Sequence, residues 1–570
     1  MLLGYSALRR RTRRGGNSPE ACTEANAAAG GSLVVALAPG PAAQGRAIVP
    51  RAVATTHRAS VHGPSRRAVA RTGIKCLAVV GAVSLAAATG YVATIEGSSV
   101  KIAMLVLATL GLPIVLVHLE LGGLAFLGVL WARVSDVAIK FHGFPSLALP
   151  FGALLIGVSL IRKLVQGERI TSSTFKDIYP SLPYVLVVLL SGLWAAFPGV
   201  AFASAATLVK DVFIFWVLAD TLRGPWSVKG ASYVLVLTAG LLSAANLHQY
   251  FADNFSSNYG GFAQAEVRNI LGEFDSYRLG GPLDTPNVFP AILALTVPLA
   301  LGLLRTRLHP IGRCVVAGTL PLIVLTILLT YSRGAAVLLA ALLLISMPRH
   351  RIGAGQAAIA GVMVVLVVLY APATVWGRLE TLALPLTGRG EVGRVLDFAV
   401  DLRLGAHRTA IEMFLSSPLV GIGAGNYPLL YEEYSRWLGI QSAAQLAQPI
   451  YWPHNAYLEV LSETGILGLI AYGGLVLAYM SRLRRARSRI QSDDRDSHDQ
   501  REMSYGIEAA LLGFLIHGFF EGLAYPRYLW MLLALVVVAA RSASPRTGRE
   551  ASSLSAAEIR GLAEAPSERA

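Results

Sequence analysis

Long apolar runs broken by short charged loops set the pattern of this chain. Runs of about 17–25 apolar residues, the length that crosses a bilayer as a helix, recur from near one end to near the other. They fall at 74–94, 101–117, 119–134, 147–162, 181–198, 202–221, 230–248, 286–305, 312–329, 333–347, 355–372, 455–480, 506–524 and 526–541. Backbone polar groups find no water in lipid, so the spans are expected to be helices. His118 and Glu120 interrupt one boundary. The expectation is therefore an all-α polytopic membrane protein with 12–14 transmembrane helices.

Composition agrees with that pattern. The 570 residues are 54% hydrophobic and only 15% charged, with a mean hydropathy of +0.55. A soluble domain is neither so apolar nor so poor in charge. The net charge of +15 does not point to nucleic acid, because residues 1–71 hold 11 arginines against 2 glutamates, +9 of the excess. That basic segment, rich in Ala, Gly, Pro and Ser, reads as a disordered tail. Residues 542–570 read as a second polar tail, and 72–541 as the transmembrane domain. Three cysteines, Cys22, Cys76 and Cys314, give neither a metal spacing nor a disulfide framework.

Lysine and arginine in short loops set the orientation. Lys163, Arg169, Arg223, Lys229, Arg305, Arg307, Arg313, Arg349, Arg351 and the run 482–489 share one side when the spans alternate. That side is expected to be cytoplasmic and to hold both termini. Residues 249–285, the turn at 330–333 and the segment 373–454 then lie outside. The last of these exceeds the roughly 60 residues over which the charge rule acts, so its own arginines do not count against it.

Four external features carry candidate chemistry. Arg278 precedes a Gly-Pro turn ending at Asn287, and Arg333 follows Ser332 at a short turn between two spans. Arg408 lies on a stretch with helical apolar spacing, Leu404, Ile411, Phe414 and Leu415, ahead of the glycine run Gly421, Gly423 and Gly425. His454 stands just before Asn455, a plausible N-cap for the long apolar run that follows. The positive end of that helix disfavours imidazolium, which suits a general base. Each feature also has a plainer reading. Arg333 can snorkel at a helix end, and Arg408 can pair with Glu412 at i,i+4. The glycine run makes a poor dinucleotide fingerprint and a better tight loop. Lys210 and Asp211, charged in mid-span, read equally as a shielded pair or a functional site. His517 and Glu521, at i,i+4, are candidates to line the same external cavity.

Together these side chains suit one reaction. Guanidinium groups clamp phosphate oxygens, and a clamp stabilises a departing phosphate. A histidine takes the proton of an attacking hydroxyl. The set fits glycan transfer from a lipid-linked diphosphate.

The same residues resemble the O-antigen ligase and polymerase family of the Wzy/WaaL type. The resemblance rests on Ser332-Arg333-Gly334, on Arg408 before Ser417-Pro418-Leu419-Val420-Gly421-Ile422-Gly423, and on Pro453-His454-Asn455 before Gly465 and Gly468. It covers about residues 270–540. It implies a GT-C-like membrane fold in a bacterial inner membrane, with an active site on the periplasmic face; the large external loop 373–454 is the segment long enough to build an acceptor pocket. The donor implied is an undecaprenyl-diphosphate-linked glycan. No metal and no cofactor are implied, and the anomeric carbon is inverted. Arg333 and Arg408 would hold the diphosphate and His454 would activate the acceptor hydroxyl, with Arg278 and Asn455 as substrate contacts. The acceptor, a lipid, a growing glycan or a protein hydroxyl, separates ligase, polymerase and protein O-oligosaccharyltransferase, and stays open. A transporter or flippase for a lipid-linked sugar or small anion is the alternative class, motivated by Lys210 and Asp211. It lacks the internal repeat that transporters usually show.

Overall fold

A computed structural model of the chain describes residues 118–166, 173–266, 277–347, 391–440, 452–490, 494–523 and 526–543. The tail 1–71, the spans 74–94, 101–117 and 355–372, and the polar tail beyond Ala543 lie outside the described residues.

Sixteen α-helices order the described chain. They are α1 (Leu119–Trp131), α2 (Val134–His142), α3 (Ala148–Gln166), α4 (Ser173–Ile178), α5 (Leu182–Ser191), α6 (Pro198–Thr221), α7 (Pro225–Phe251) and α8 (Val288–Ala294). Then follow α9 (Thr296–Arg305), α10 (Pro310–Leu329), α11 (Arg333–Ser346), α12 (Glu391–Ser416), α13 (Tyr427–Trp437), α14 (Ala456–Ser488), α15 (Arg495–His517) and α16 (Arg527–Ser542). A two-residue antiparallel pair, β1 (Ala265–Glu266) with β2 (Arg278–Leu279), completes the set. Proline opens α6, α7 and α10 at their first turn, where its missing amide costs nothing.

The chain is an all-α polytopic membrane protein. Among the described residues, six segments are long and apolar enough to cross a membrane: Ala148–Val165, Pro198–Thr221, Trp226–Phe251, Val288–Arg305, Pro310–Leu329 and Ala456–Ser488. The expected span 119–134 is instead the first half of a pair, α1 and α2, bent by 53°. The bend falls where Arg133 takes a left-handed conformation. The expected span 181–198 holds only the ten-residue α5, which ends at Ser191 and gives way to a turn. Expected span 506–524 belongs to α15, whose first turns are charged and extend past the apolar part. Expected span 526–541 is α16, with every residue from Tyr528 to Ala540 buried. Protein rather than lipid surrounds that helix, so its length need not match the bilayer.

Packing fixes two ends. Phe215 of α6, Tyr479 of α14 and Trp530 of α16 meet edge to face at the centre, and all three are fully buried. Toward one end the basic residues pair with buried acids. Lys163 and Arg223 meet Asp220, and Lys229 meets Asp499. Arg482 and Arg541 meet Asp177, while Arg484 and Arg487 meet Glu508. The α7 helix runs from Pro225 at this end to Tyr250 at the other, where the Tyr250 hydroxyl lies 3.0 Å from that of Tyr331. Its 27 residues reach roughly 40 Å at 1.5 Å per residue. The opposite end holds Arg278, Arg333 and His454.

Candidate functional site

The start of α14 is clasped to the end of α15. Asn455 caps α14, its Oδ1 accepting the amides of Tyr457 and Leu458 at 3.0 Å each. The Ala456 amide donates to the carbonyls of Gly518 at 2.7 Å and Glu521 at 3.1 Å. Tyr457 Oη donates to Leu515 O at 2.6 Å. The buried Glu459 Oε2 accepts the Leu523 amide at 2.8 Å. These bonds hold His454 against Glu521, with Nδ1 2.8 Å from Oε1. The His454 backbone takes a left-handed φ of 48°, a conformation that costs about 1–3 kcal/mol outside glycine and persists only where its surroundings impose it.

Glu521 stays ionised in this place. Burial pushes its carboxyl up, but the His454 hydrogen bond and the positive charges of His454, His517 and Arg403 outweigh it and hold the group below the usual glutamate range. An ionised carboxylate only accepts, so Nδ1 of His454 is the donor. In its neutral form the ring offers Nε2 as the proton acceptor. Asn455 takes up the first free amides of α14, so Glu521 sets the tautomer.

The Arg333 turn stands beside this clasp. Ser332 caps α11 by accepting the Ala335 amide at 3.4 Å, and Tyr331 holds a left-handed φ of 55°. Next to Arg333, a Cβ added to Gly334 would lie 3.5 Å from Cβ of Phe520, the neighbour of Glu521. Arg333 and His454 are thereby brought to the same end of the bundle. Arg278 is buried behind the turn. Its Nε donates to the Thr330 carbonyl at 2.9 Å and an Nη to Asn287 Oδ1 at 3.2 Å. The first contact holds the turn, and the second ties Arg278 to the start of α8. Asn455 likewise has its side chain engaged in the cap and with the Phe519 carbonyl.

Arg408 lies on α12. It is exposed, on the same face as the exposed Leu404, Ile411 and Leu415. The apolar spacing read from sequence is therefore the outward face of that helix. Arg408 makes no ion pair with Glu412 among the described residues. The buried face of α12 is Ala406, Thr409, Ala410 and Met413, and beside it Arg403 and His407, one turn apart, are half-buried. Arg403 acts on both Glu521 and His407. The His407 ring is pushed below the usual histidine range, first by burial and then by the charges of His454 and Arg403, against the Pro453 carbonyl. Arg403 and His407 were missed in the sequence. The signal lay in their i,i+4 spacing on the flank of the apolar stripe.

The glycine run is a structural lock. Gly465 breaks α14 with φ 65° and ψ −166°. An unbroken helix would bond Ile466 to Ser462 and Leu467 to Glu463. Instead Ile466 and Leu467 donate to the carbonyls of Pro418 at 2.9 Å and Leu419 at 3.3 Å, while the carbonyls of Ser462 and Glu463 accept Ile422 at 3.0 Å and Gly423 at 2.9 Å. All four orphaned groups are satisfied by the inserted loop. A Cβ on Gly465 would come within 2.4 Å of Leu419 backbone, and one on Gly421 within 2.3 Å of Glu463 backbone. Buried Glu463 accepts the Tyr427 amide at 3.2 Å, and buried Asn426 accepts that of Phe197 at 2.7 Å. The described parts of 373–454 are thus largely helical, α12 and α13, tied into the bundle.

Two further charged features resolve. Asp211 meets Arg527 at 3.5 Å, and Arg527 also meets Asp136 at 3.1 Å. Lys210 is exposed. The mid-span pair that motivated a transporter is therefore a structural ion network around the start of α16. His517 is buried beside a small cavity lined also by Val288, Ile292, Ala456, Phe514 and Gly522. Among the described residues, no group of three or more His, Cys, Asp or Glu is placed to hold a metal ion.

Residues 318–473 match the family model described as O-antigen ligase. That stretch holds the Arg333 turn, Arg403, the glycine loop, His454 and the Gly465 break, and leaves Arg278 and Glu521 outside. No curated protein matches the chain. Over residues 318–473 the chain is thus similar to the O-antigen ligase family.

Proposed function

We propose that the His454 end of the bundle moves a glycan from a lipid-linked diphosphate to an acceptor hydroxyl. The observation that carries this reading is the Nδ1 bond to Glu521 beside the Arg333 turn. Nε2 of His454 takes the hydroxyl proton as the oxygen attacks the anomeric carbon. The bond from that carbon to the phosphate oxygen breaks, and the lipid diphosphate leaves with the electron pair. Arg333 and Arg403 balance its growing charge, as a preorganised clamp does. Glu521 keeps the ring in the productive tautomer and offsets the charge that forms on it.

The resemblance makes undecaprenyl diphosphate the lipid carrier. The positive-inside rule makes the arginine-rich end cytoplasmic and the His454 end periplasmic in a bacterial inner membrane. Arg408, on the outward face, is not carried into the clamp. The test is transfer of a lipid-diphosphate-linked glycan by the purified full-length chain, with and without EDTA. A covalent product that survives EDTA supports the reading. Full activity of His454→Ala would remove it. The product also separates the acceptors: one added block on a lipid, a ladder of repeats, or a glycosylated protein.

A further inference from the structure

The base has a second tether besides Glu521. His407 lies half-buried on α12, four residues after Arg403. Its ring is hydrogen-bonded to the Pro453 backbone. Proline has no amide hydrogen, so the histidine donates and the carbonyl accepts. Nε2 of the ring is enclosed and, among the described residues, has no hydrogen-bond partner. The donor is therefore Nδ1. Pro453 is buried and directly precedes His454, whose left-handed φ of 48° has to be imposed by its surroundings. Separate contacts seat α12 at this place. Ala406 and Ala410 of α12 form one buried cluster with Tyr427, and Leu458 packs against it. Tyr427 Oη donates to the Ala406 carbonyl at 2.8 Å. Leu458 belongs to the first turn of α14, so the turn of α12 that carries His407 lies against the start of α14.

Histidine is a costly residue for this position. A buried acceptor without a donor is destabilising, and an apolar ring of similar size would avoid it. What the imidazole adds is the Nδ1 hydrogen on Pro453. We propose that His407 is a positioning residue for the base. It holds the Pro453 carbonyl, fixes the turn that aims His454, and ties that turn to the helix bearing Arg403. Base and clamp then keep one register, set by a single turn of α12. The proposal rests on the glycosyltransfer reading, in which His454 and Arg403 act on the two ends of one displacement. Aim matters to the transition state more than to ground-state binding, so its loss falls on kcat rather than KM.

The experiment compares two variants of the full-length protein by steady-state transfer and by thermal unfolding. His407→Phe keeps the bulk of the ring without a donor, and His407→Gln keeps an N–H for the carbonyl. His407→Phe is expected to lower kcat roughly 10- to 100-fold, the effect of a small misplacement of a reacting group, with KM within about twofold. Its thermal midpoint is expected to stay near that of wild type, because the unpaired Nε2 leaves together with the donor. His407→Gln is expected to recover most of the lost rate. Wild-type kcat in folded His407→Phe overturns the proposal. A loss of kcat that tracks a fall in thermal midpoint, or that glutamine does not relieve, makes His407 a packing residue and overturns it too. If His407→Phe does not fold, His407→Met makes the same test, since its flexible side chain adapts to the space. His454→Ala is the control. Full activity there removes the glycosyltransfer reading and this inference with it. An inactive His454→Ala beside a fully active His407→Phe removes this inference alone.

Discussion

Buried carboxylates serve the two ends of this bundle differently. At the arginine-rich end Asp177, 2% exposed, is held by Arg482 at 2.5 Å and by Arg541. Glu508 holds Arg484 and Arg487 in the same way. There the acid neutralises guanidinium groups and staples helices. At the other end Glu521, 8% exposed, turns to His454 instead. The same chemical group is a staple in one place and the orienter of a reactive ring in the other. Partner choice decides which, and the partner is set by which helix ends meet.

The comparison breaks most sharply at the ring. His454→Ala is expected to lower transfer by about 10²–10⁴, the usual worth of a positioned base. The thermal midpoint should fall as well, because the variant leaves the buried Glu521 carboxylate without its histidine partner. Initial rates with purified protein, beside a melting curve, check both halves.

The clamp comes next. Arg403→Ala is expected to cost about 10²–10³ in rate, as loss of one transition-state donor does. Arg408→Ala, on the exposed face, should stay within about threefold of wild type, in line with surface substitutions away from special features. Equal losses in the two variants would return Arg408 to the site and sink the assignment of the inward face.

Glu521→Gln sharpens the contrast through pH. The folded carboxyl lies below its ordinary value. Its contribution to stability is therefore full above the ordinary glutamate range and lost as pH falls through the folded value. Wild type should be the more stable at neutral pH and lose that advantage in acid, while Glu521→Gln should show a flatter acid limb. Denaturation at a series of pH values reads this. The rate should also fall, because an amide no longer fixes the tautomer.

The smallest effect on turnover is expected from the staple. Asp177→Asn leaves two arginines without their buried partner, and stranding a buried charge costs about 3–5 kcal/mol. Activity per folded molecule should stay near wild type. A loss of turnover without loss of stability would mean that the two ends are not separate in function.

Much of the site was legible because its signals are local. Asn455 as a cap before an apolar run follows from short-range rules, and the structure bears that reading out. The glycine run as a tight loop, rather than a nucleotide fingerprint, was also readable from its context. Arg408 was singled out for its place ahead of the glycine run, while Arg403 carried no motif to mark it. In a membrane protein the outward face is apolar too, so hydrophobic spacing alone does not say which side of α12 faces the bundle. The helix α16 is likewise apolar all round yet wrapped by protein, a distinction that hydropathy does not make.

The sequence by itself determined the class, the helical spans and the residue types of the chemistry, because lipid demands apolar helices and the motifs are contiguous. Only the tertiary structure decided that Glu521 serves His454, that Arg278 holds the turn of Arg333, and that loop 418–423 fills the gap opened at Gly465. Those pairings join residues far apart in the chain. Their geometry depends on where helices end and what meets them there, and no local pattern encodes that.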